Sequence, residues 1–247
     1  MKPRKGNIKM NNIKPLILVG NGGCMREIVW QIQMLNQQYP IWKIIGIVDK
    51  NPSEGYLSYP WLGNDEYLLS LKEEINVAIC IGNPSLRKKI AEKLSQNPYL
   101  KFPTIVLNQL QGNKSKIVLE EQTDLPELII RNSIIANTAS IGRGSIICMD
   151  CIVSTEVQIG EFVFLNIGSM VCHDGKIDNY VTLSPDVKLA GNVHIKQGTE
   201  IGIGAKVIQG ITIGENSVIG AGAVVIRDIP PNCTAVGVPA NKIIETR

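Results

Sequence analysis

The chain of 247 residues contains only two histidines, His173 and His194. A zinc site built from three histidine ligands is therefore disfavoured, and we expect no metal. The six cysteines lie scattered over core-like positions and form no tight framework. This usage is typical of a protein in a reducing cytosol.

A long apolar segment is also lacking after the basic N-terminus, because residues 16–19 run directly into a glycine-rich stretch. We therefore expect neither a signal peptide nor a membrane span, and a cytoplasmic location. Five of the 25 Lys and Arg residues lie within the first 14 positions, which leaves 20 against 22 Asp and Glu in the remainder. The near-neutral remainder offers no basic face to a nucleic acid.

An aliphatic residue recurs at every sixth position between residues 129 and 225. The seventeen positions are Ile129, Ile135, Ile141, Ile147, Val153, Ile159, Leu165, Val171, Ile177, Leu183, Leu189, Ile195, Ile201, Val207, Ile213, Ile219 and Val225. A period of six is typical of a hexapeptide solenoid, in which three short strands make one triangular coil. The pattern predicts a left-handed parallel β-helix, in which residues eighteen apart stack at about 4.8 Å.

Residues 15–107 alternate instead between short apolar strands and amphipathic helices. We predict strands at 15–20, 44–49, 77–82 and 104–107, with helices beginning near Gly22, Asn64 and Pro84. This order predicts a small Rossmann-like α/β domain of a size that suits a mononucleotide. The fold class is thus α/β plus all-β.

Five segments follow from these patterns. Residues 1–14 form a basic disordered tail, 15–107 the nucleotide-binding domain, 108–128 a linker with an irregular first coil, and 129–225 the β-helix. Residues 226–247 form a C-terminal tail, because Pro230, Pro231 and Pro239 cannot supply ladder hydrogen bonds.

The most promising catalytic residue is His173, which is followed directly by Asp174. An imidazole beside a carboxylate can act as a general base, since the anion favours the imidazolium that proton abstraction forms. Gly191 lies one coil of eighteen residues further on, where a bare backbone N–H could face an oxyanion. His194 belongs to another column, between Lys176 and Thr212, and we interpret it as a surface residue.

Other interpretations of these residues remain open. His173 could be a turn histidine with a purely structural role. Cys172 could be a nucleophile, although neighbouring strand residues point to opposite faces, which places His173 badly to activate it. The turn at Gly20, Gly22 and Gly23 is a candidate phosphate cradle, with Asp49 ending the second strand to meet a ribose or base, or else a structural turn.

The motifs together resemble those of bacterial sugar acetyltransferases that join a nucleotide-sugar domain to a left-handed β-helix. This group includes UDP-4-amino-sugar N-acetyltransferases, perosamine N-acetyltransferases and sialic acid O-acetyltransferases. The resemblance covers nearly all of the chain after residue 14. It rests on Val19-Gly20-Asn21-Gly22-Gly23, Gly46-Ile47-Val48-Asp49, Ile81-Gly82-Asn83, residues 166–174 and Gly237-Val238-Pro239-Ala240.

The resemblance implies roles for particular residues. His173 would be the base and Asp174 the acid that raises its basicity, with Asn166 near the acceptor. The nucleotide sugar would be held by Gly22, Gly23, Cys24, Asp49 and Gly82. Acetyl-CoA would lie in a groove between subunits of a homotrimer, lined by the Gly191 amide, Ile203 and Ala221.

Two positions depart from the family pattern. Cys24 stands where the family usually has a histidine after the glycine pair. Thr182 stands where a second histidine, nine residues after the base, usually contributes a contact to coenzyme A or the acceptor. The first departure bears on nucleotide or sugar preference, and the second leaves the base intact.

The resemblance therefore predicts an acetyl-CoA-dependent N-acetyltransferase acting on the amine of a nucleotide-linked amino-deoxy sugar, in surface glycan biosynthesis. One alternative is an O-acetyltransferase of sialic acid or a related sugar. Another is a non-catalytic solenoid that binds a nucleotide sugar. The sequence does not name the base, the sugar or the acetylated position.

Overall fold

The computed structural model describes residues 13–38, 40–52, 54, 56–107, 129–131 and 133–245. Most of the predicted N-terminal tail and the whole predicted linker, 108–128, lie outside these residues. The described parts form an α/β domain followed by a β-solenoid, which confirms the predicted combination of fold classes. The left-handed winding stays a prediction.

The N-terminal domain is a five-stranded parallel sheet in the order β3-β2-β1-β4-β5. Its strands are β1 (Lys14–Val19), β2 (Trp42–Val48), β3 (Trp61–Gly63), β4 (Ile75–Ile79) and β5 (Leu100–Lys101). Its helices are α1 (Gly23–Gln38), α2 (Asp65–Ser70) and α3 (Pro84–Leu94). The strand order reverses beside β1, and in open α/β sheets ligands bind at such a switch point.

Short polar side chains fix where two of the helices begin. The side chain of Asn64 accepts a hydrogen bond from the Glu66 amide at the start of α2. Asn83 does the same for the Leu86 amide in α3, where Pro84 occupies the first turn. These caps satisfy amides that have no partner within the helix, so the loop before each helix has a defined geometry.

The solenoid consists of three sheets whose strands are almost all two residues long. The nine-stranded sheet contains β6 (Ile105–Leu107), β7 (Ile129–Arg131), β10 (Ile146–Ile147), β13 (Phe164–Leu165), β16 (Thr182–Leu183), β19 (Glu200–Ile201), β22 (Val218–Ile219), β24 (Cys233–Val236) and β25 (Lys242–Glu245). The six-stranded sheet contains β8 (Ile134–Ile135), β11 (Ile152–Val153), β14 (Met170–Val171), β17 (Lys188–Leu189), β20 (Lys206–Val207) and β23 (Val224–Val225). The five-stranded sheet contains β9 (Ser140–Ile141), β12 (Gln158–Ile159), β15 (Lys176–Ile177), β18 (His194–Ile195) and β21 (Thr212–Ile213).

Successive coils between β8 and β23 pair in the predicted register of eighteen residues, whereas Ile129, the first predicted anchor, lies opposite Ile146 and not Ile147. Phe164 lies opposite Thr182, and Met170 lies opposite Lys188, in parallel ladders. The second residue of each short strand points inward, as shown by the complete burial of Leu165, Leu183 and Ile195. The aliphatic repeat is therefore the solenoid core.

Small residues at the corners of the coils donate side-chain hydrogen bonds to backbone carbonyls. The Ser145 hydroxyl donates to the Gly160 carbonyl at 3.0 Å, and the Thr199 hydroxyl donates to the Gly214 carbonyl at 2.8 Å. The thiol of Cys151, which is buried, donates to the Asn166 carbonyl at 3.1 Å. Each side chain thus satisfies a carbonyl at the corner of the next coil.

Several strands differ from the sequence-based assignment, since β3 and β5 were not predicted and three others pair differently. β6 was expected to close the N-terminal sheet, but it pairs in parallel with β7 in the solenoid. The tail after Val225 was expected to end the repeat, but β24 continues the nine-stranded sheet beside β22, and β25 pairs antiparallel to β24. Pro230 and Pro231 precede β24, at a position where no ladder donor is needed.

We expect Leu183→Ala to lower the free energy of unfolding by about 2–5 kcal/mol, because the side chain is fully buried in a closely packed coil. Leu57→Ala, at a side chain that is 67% exposed, should change the free energy of unfolding by no more than about 0.5 kcal/mol. Urea unfolding followed by circular dichroism measures both. Equal shifts would contradict the assignment of the aliphatic repeat to the core.

Candidate active site

His173 and Asp174 form a hydrogen-bonded pair at the corner between β14 and β15. Nδ1 of His173 lies 2.8 Å from Oδ2 of Asp174. Asp174 has a φ of 59°, a left-handed conformation that Asp tolerates, and its amide donates to the Thr155 carbonyl at 3.0 Å. This backbone geometry places the carboxylate beside the imidazole of the preceding residue.

The pairing determines what His173 can do. A carboxylate at Nδ1 favours the tautomer with the proton on Nδ1, which leaves the lone pair on Nε2. Nε2 makes no hydrogen bond to the described part of the chain, and the His173 side chain is 59% exposed. His173 can therefore accept a proton from a group that approaches from outside the coil.

Gly191 lies directly against the imidazole. A Cβ atom at this position would come within 2.5 Å of Cε1 and 2.6 Å of Nε2 of His173. Any other residue would therefore push the ring away. The Gly191 amide donates to no described residue, so it remains a free N–H beside the imidazole.

The second histidine, His194, also has a carboxylate partner. Its Nε2 lies 2.9 Å from Oδ1 of Asp178, and both side chains are more than 70% covered, with 22% and 27% exposure. The expected column between Lys176 and Thr212 is present. Pairing with an acid thus does not distinguish the two histidines, whereas exposure and the glycine contact favour His173 as the reactive one.

A cavity of about 840 Å³ lies between the N-terminal domain and the solenoid. It is lined by the residues that the sequence assigned to the nucleotide sugar and the acceptor: Gly22, Gly23, Cys24, Asp49, Gly82 and Asn166. Gly82 comes from the loop after β4, and Asn166 follows β13. The structure therefore brings together side chains from positions more than 140 residues apart in the sequence.

One end of the cavity is suited to an anion. Gly22 and Gly23 begin α1, whose first turn carries no acidic residue. The unpaired amides and the positive end of the helix dipole favour a phosphate there. A Cβ atom at Gly22 would meet no atom within 4 Å, so the approach to the helix end is open. Lys50, Lys89 and Lys93 also line the cavity.

Asp49 lines the same cavity as the glycine turn and is held by two hydrogen bonds. Its Oδ1 accepts a hydrogen bond from the Asn51 amide at 3.0 Å, and its carbonyl accepts one from Trp61 Nε1 at 3.1 Å. A carboxylate has acceptor positions left for further donors, such as ribose hydroxyls or base N–H groups.

Thr182, Ile203 and Ala221 lie away from the His173 corner. Thr182 is in the nine-stranded sheet, next to Phe164 in the ladder. Ile203 and Ala221 are eighteen residues apart and exposed, at the corner between the nine-stranded and six-stranded sheets. His173 and Gly191 occupy the corner between the six-stranded and five-stranded sheets, so one chain does not assemble all five residues at one edge.

Two residues that shape the cavity, Phe164 and Arg87, are not among the predicted site residues. Phe164 forms part of its wall, with its ring against Gly82. Arg87 lies behind that wall and is 2% exposed. Phe164 could have been noticed as an aromatic residue in a column of mainly aliphatic and polar residues. Arg87 carries no such signal, because in sequence it is one of several basic residues in a charged helix.

Within the described residues, no group of three or more His, Cys, Asp or Glu side chains is arranged to hold a metal ion. In the same part of the chain, no helix combines the length and apolarity needed to cross a membrane.

Fold and site together define a class of protein, a hexapeptide-repeat solenoid with an added α/β domain and a cavity between the two. Residues 15–94 match the PglD N-terminal domain, and residues 192–227 match the bacterial transferase hexapeptide repeats. GDP-perosamine N-acetyltransferase of Escherichia coli O157:H7 is 34% identical over 127 residues, which are 48% of this chain and 58% of that protein.

Solved structures extend the likeness over both domains. PerB from Caulobacter crescentus, in complex with CoA and GDP-perosamine, is 26% identical and superposes with a TM-score of 0.71 over 94% of this chain and 97% of its own. The acetyltransferase domain of PglB from Neisseria gonorrhoeae FA1090, in complex with acetyl coenzyme A, is 26% identical with a TM-score of 0.70 over 93% and 98%. Over both domains the chain is thus similar to PglD-type nucleotide-sugar N-acetyltransferases, in agreement with the resemblance of its motifs.

We expect Gly191→Ala to displace the His173 ring, because the added methyl group would overlap the imidazole. The chain has two histidines, so an NMR spectrum of the imidazole nitrogens contains two sets of signals. The His173 signals should shift while those of His194 stay in place and serve as an internal control. Unchanged His173 signals would contradict the stacked arrangement.

Proposed function

We propose that this chain is an acetyl-CoA-dependent N-acetyltransferase that acts on the amine of a nucleotide-linked amino-deoxy sugar. The observation that carries the proposal is the His173–Asp174 pair against the bare Gly191 backbone, in a chain that also has a cavity opening on a glycine turn. The relatives in complex with CoA and GDP-perosamine support both substrate classes.

His173 acts as the general base of acetyl transfer. As the neutral sugar amine attacks the thioester carbonyl, a C–N bond forms and Nε2 takes the proton that the nitrogen loses. Asp174 stabilises the resulting imidazolium through the 2.8 Å contact to Nδ1. When the intermediate collapses, the C–S bond breaks, and the leaving thiolate of coenzyme A takes the proton from His173.

The Gly191 amide stabilises the tetrahedral intermediate. Negative charge develops on the former carbonyl oxygen, and a free backbone N–H beside the base can donate a hydrogen bond to it. Glycine is needed at position 191 for two reasons. It leaves room for the imidazole, and it lets the substrate approach the backbone.

The nucleotide sugar occupies the cavity between the two domains. Its diphosphate lies at Gly22 and Gly23 on the N-terminus of α1, and Asp49 accepts hydrogen bonds from the ribose or base. The sugar extends past Cys24 and Gly82 towards Asn166. A thiol at position 24 is smaller than the imidazole usual in the family, so a bulkier or differently oriented substituent fits beside it.

Acetyl-CoA lies between subunits of a homotrimer. Within one chain, the corner with Ile203 and Ala221 is separated from the His173 corner by the six-stranded sheet. A groove lined by both corners therefore needs a second copy of the chain. Thr182 lies on the nine-stranded sheet, which adjoins the corner with Ile203 and Ala221. Sedimentation at the protein concentration used for the assay tests this assembly. Because none of the six cysteines forms a disulfide and acetyl-CoA is the donor, we place the reaction in the cytoplasm.

The direct test is incubation of the purified chain with acetyl-CoA and a panel of GDP-, UDP- and dTDP-linked amino sugars. Mass spectrometry should find a product heavier by one acetyl group, together with free coenzyme A. Mild alkali distinguishes the amide from the ester that an O-acetyltransferase would make, because only the ester is cleaved. Nucleotide-sugar binding with no release of coenzyme A over the whole panel would favour a non-catalytic binding protein.

His173→Ala should lower kcat by roughly 10² or more with coenzyme A binding retained, because a positioned general base is lost. His194→Ala should stay close to wild type, which makes it the matched control. Asp174→Asn should fall between them, since it keeps the shape of the pair and removes the charge. Steady-state kinetics between pH 6 and 9 measures all three. Wild-type kcat in His173→Ala with a loss in His194→Ala would reverse the assignment.

Gly22→Leu should abolish nucleotide-sugar binding without lowering thermal stability. A Cβ atom at Gly22 would meet no protein atom within 4 Å. The leucine side chain therefore fits the fold, but it extends into the cavity. Calorimetric titration and thermal melting of the same preparation measure the two effects, and coenzyme A affinity serves as the control. Unchanged nucleotide-sugar affinity would show that the cavity is not the binding site.

A further inference from the structure

Arg87 in α3 is a nearly fully buried cation whose hydrogen bonds all end on backbone carbonyls. Nε donates to Gly144 at 2.7 Å, and Nη1 donates to Ile81 at 2.6 Å and to Gly82 at 2.9 Å. Nη2 donates to Phe162 at 2.9 Å and to Val163 at 3.2 Å. A guanidinium has five N–H groups, so these five bonds use its full donor capacity.

These acceptors belong to both domains. Ile81 and Gly82 form the loop after β4, whereas Gly144, Phe162 and Val163 lie in two adjacent coils of the solenoid. Arg87 makes no ion pair with a carboxylate in the described part of the chain. Burial lowers the pKa of its guanidinium to about 10, which still leaves it protonated at neutral pH. A buried charge is tolerated here because five carbonyl dipoles replace its hydration.

The two segments that Arg87 joins continue into adjoining parts of the cavity wall. Gly82 lines one part, and Phe164 and Asn166, directly after Phe162 and Val163, line the other. The Phe164 ring lies so close to Gly82 that a Cβ atom there would be 3.1 Å from Cε1. The guanidinium carbon is 5.9 Å from the centre of the same ring. The placement of the Phe164 ring against Gly82 at this junction therefore depends on Arg87.

The neighbouring residue Lys88 makes a different kind of contact with the solenoid. Its ammonium donates to the Tyr180 hydroxyl at 2.8 Å and also approaches Glu92, but its side chain is 38% exposed. Such an exposed contact adds little to stability and touches neither part of the cavity wall. Lys88 thus provides a control one residue away, with the same charge and the same helix.

We propose that Arg87 is a positioning residue for nucleotide-sugar binding, which holds the Phe164–Asn166 wall of the solenoid in register with the Gly82 loop. The inference rests on the proposed function in taking the cavity as the nucleotide-sugar site. A lysine cannot replace the arginine, because an ammonium has three donors and no planar fork. Loss of the fork should therefore open the junction without disturbing the rest of either domain.

The test exchanges the two neighbouring side chains separately, as Arg87→Lys and Lys88→Arg, so that both variants keep the charge of α3. Calorimetry measures affinity for GDP, UDP, dTDP and coenzyme A on each preparation. In Arg87→Lys we expect the affinity for the nucleotide that wild type binds to fall by at least about tenfold. Coenzyme A affinity should stay within about twofold, and Lys88→Arg should match wild type for both ligands.

A second variant separates positioning from folding. Arg87→Ala leaves a space that guanidinium ion in solution can enter, so millimolar guanidinium should restore part of the nucleotide affinity. The same concentration should leave wild type unchanged. Unaltered nucleotide affinity in both Arg87 variants would overturn the inference. A parallel loss of nucleotide affinity, coenzyme A affinity and melting temperature, without rescue, would overturn it as well, because it would show a role in folding alone.

These binding measurements do not depend on turnover. A wild-type chain that binds a nucleotide but acetylates no amino sugar would count against the proposed function, and the ratio of affinities in Arg87→Lys would still decide the role of Arg87. A wild-type chain that binds none of the three nucleotides of the panel, GDP, UDP and dTDP, would overturn both.

Discussion

The parallel ladder between residues eighteen apart is the constraint on which the rest of the molecule depends. Each coil satisfies the backbone groups of the next, as in the pairing of Lys176 with His194 and of His194 with Thr212. The inward aliphatic residues then form one continuous core along the solenoid. Because the ladder has no freedom of register, a side chain at one corner has a fixed neighbour in the next coil. This is why Gly191 meets His173.

In this regular solenoid, the candidate active site depends on side chains at one corner and not on a change in the backbone. The corner that contains His173 and Asp174 has the same backbone path as its neighbours, so the candidate base needs no special fold. It needs an exposed imidazole, a carboxylate at Nδ1 and a missing side chain one coil away. His194 has the carboxylate but neither of the other two features, because it lies within strand β18 and not at a corner.

Sequence patterns predicted the solenoid and its register because both depend on local spacing. The six residues that the family resemblance assigned to the nucleotide sugar and the acceptor all line one cavity, although their role in binding stays a prediction. Sequence patterns failed where pairing is not local. β6 has an apolar sequence that suits either sheet, and its partner β7 lies beyond a long intervening segment. The prolines before β24 suggested an end to the coil, although they occupy a turn and not the ladder.

Arg87 shows the remaining limit of sequence reasoning. In sequence it is one basic residue among several in an amphipathic helix, and burial of a charge is disfavoured on average. Its position is favourable because carbonyls of the Gly82 loop and of two coils converge on one point. That convergence exists only after both domains have folded and docked. The residue that joins a substrate-binding domain to a catalytic scaffold can therefore be recognised from its hydrogen bonds, and not from its place in a repeat or motif.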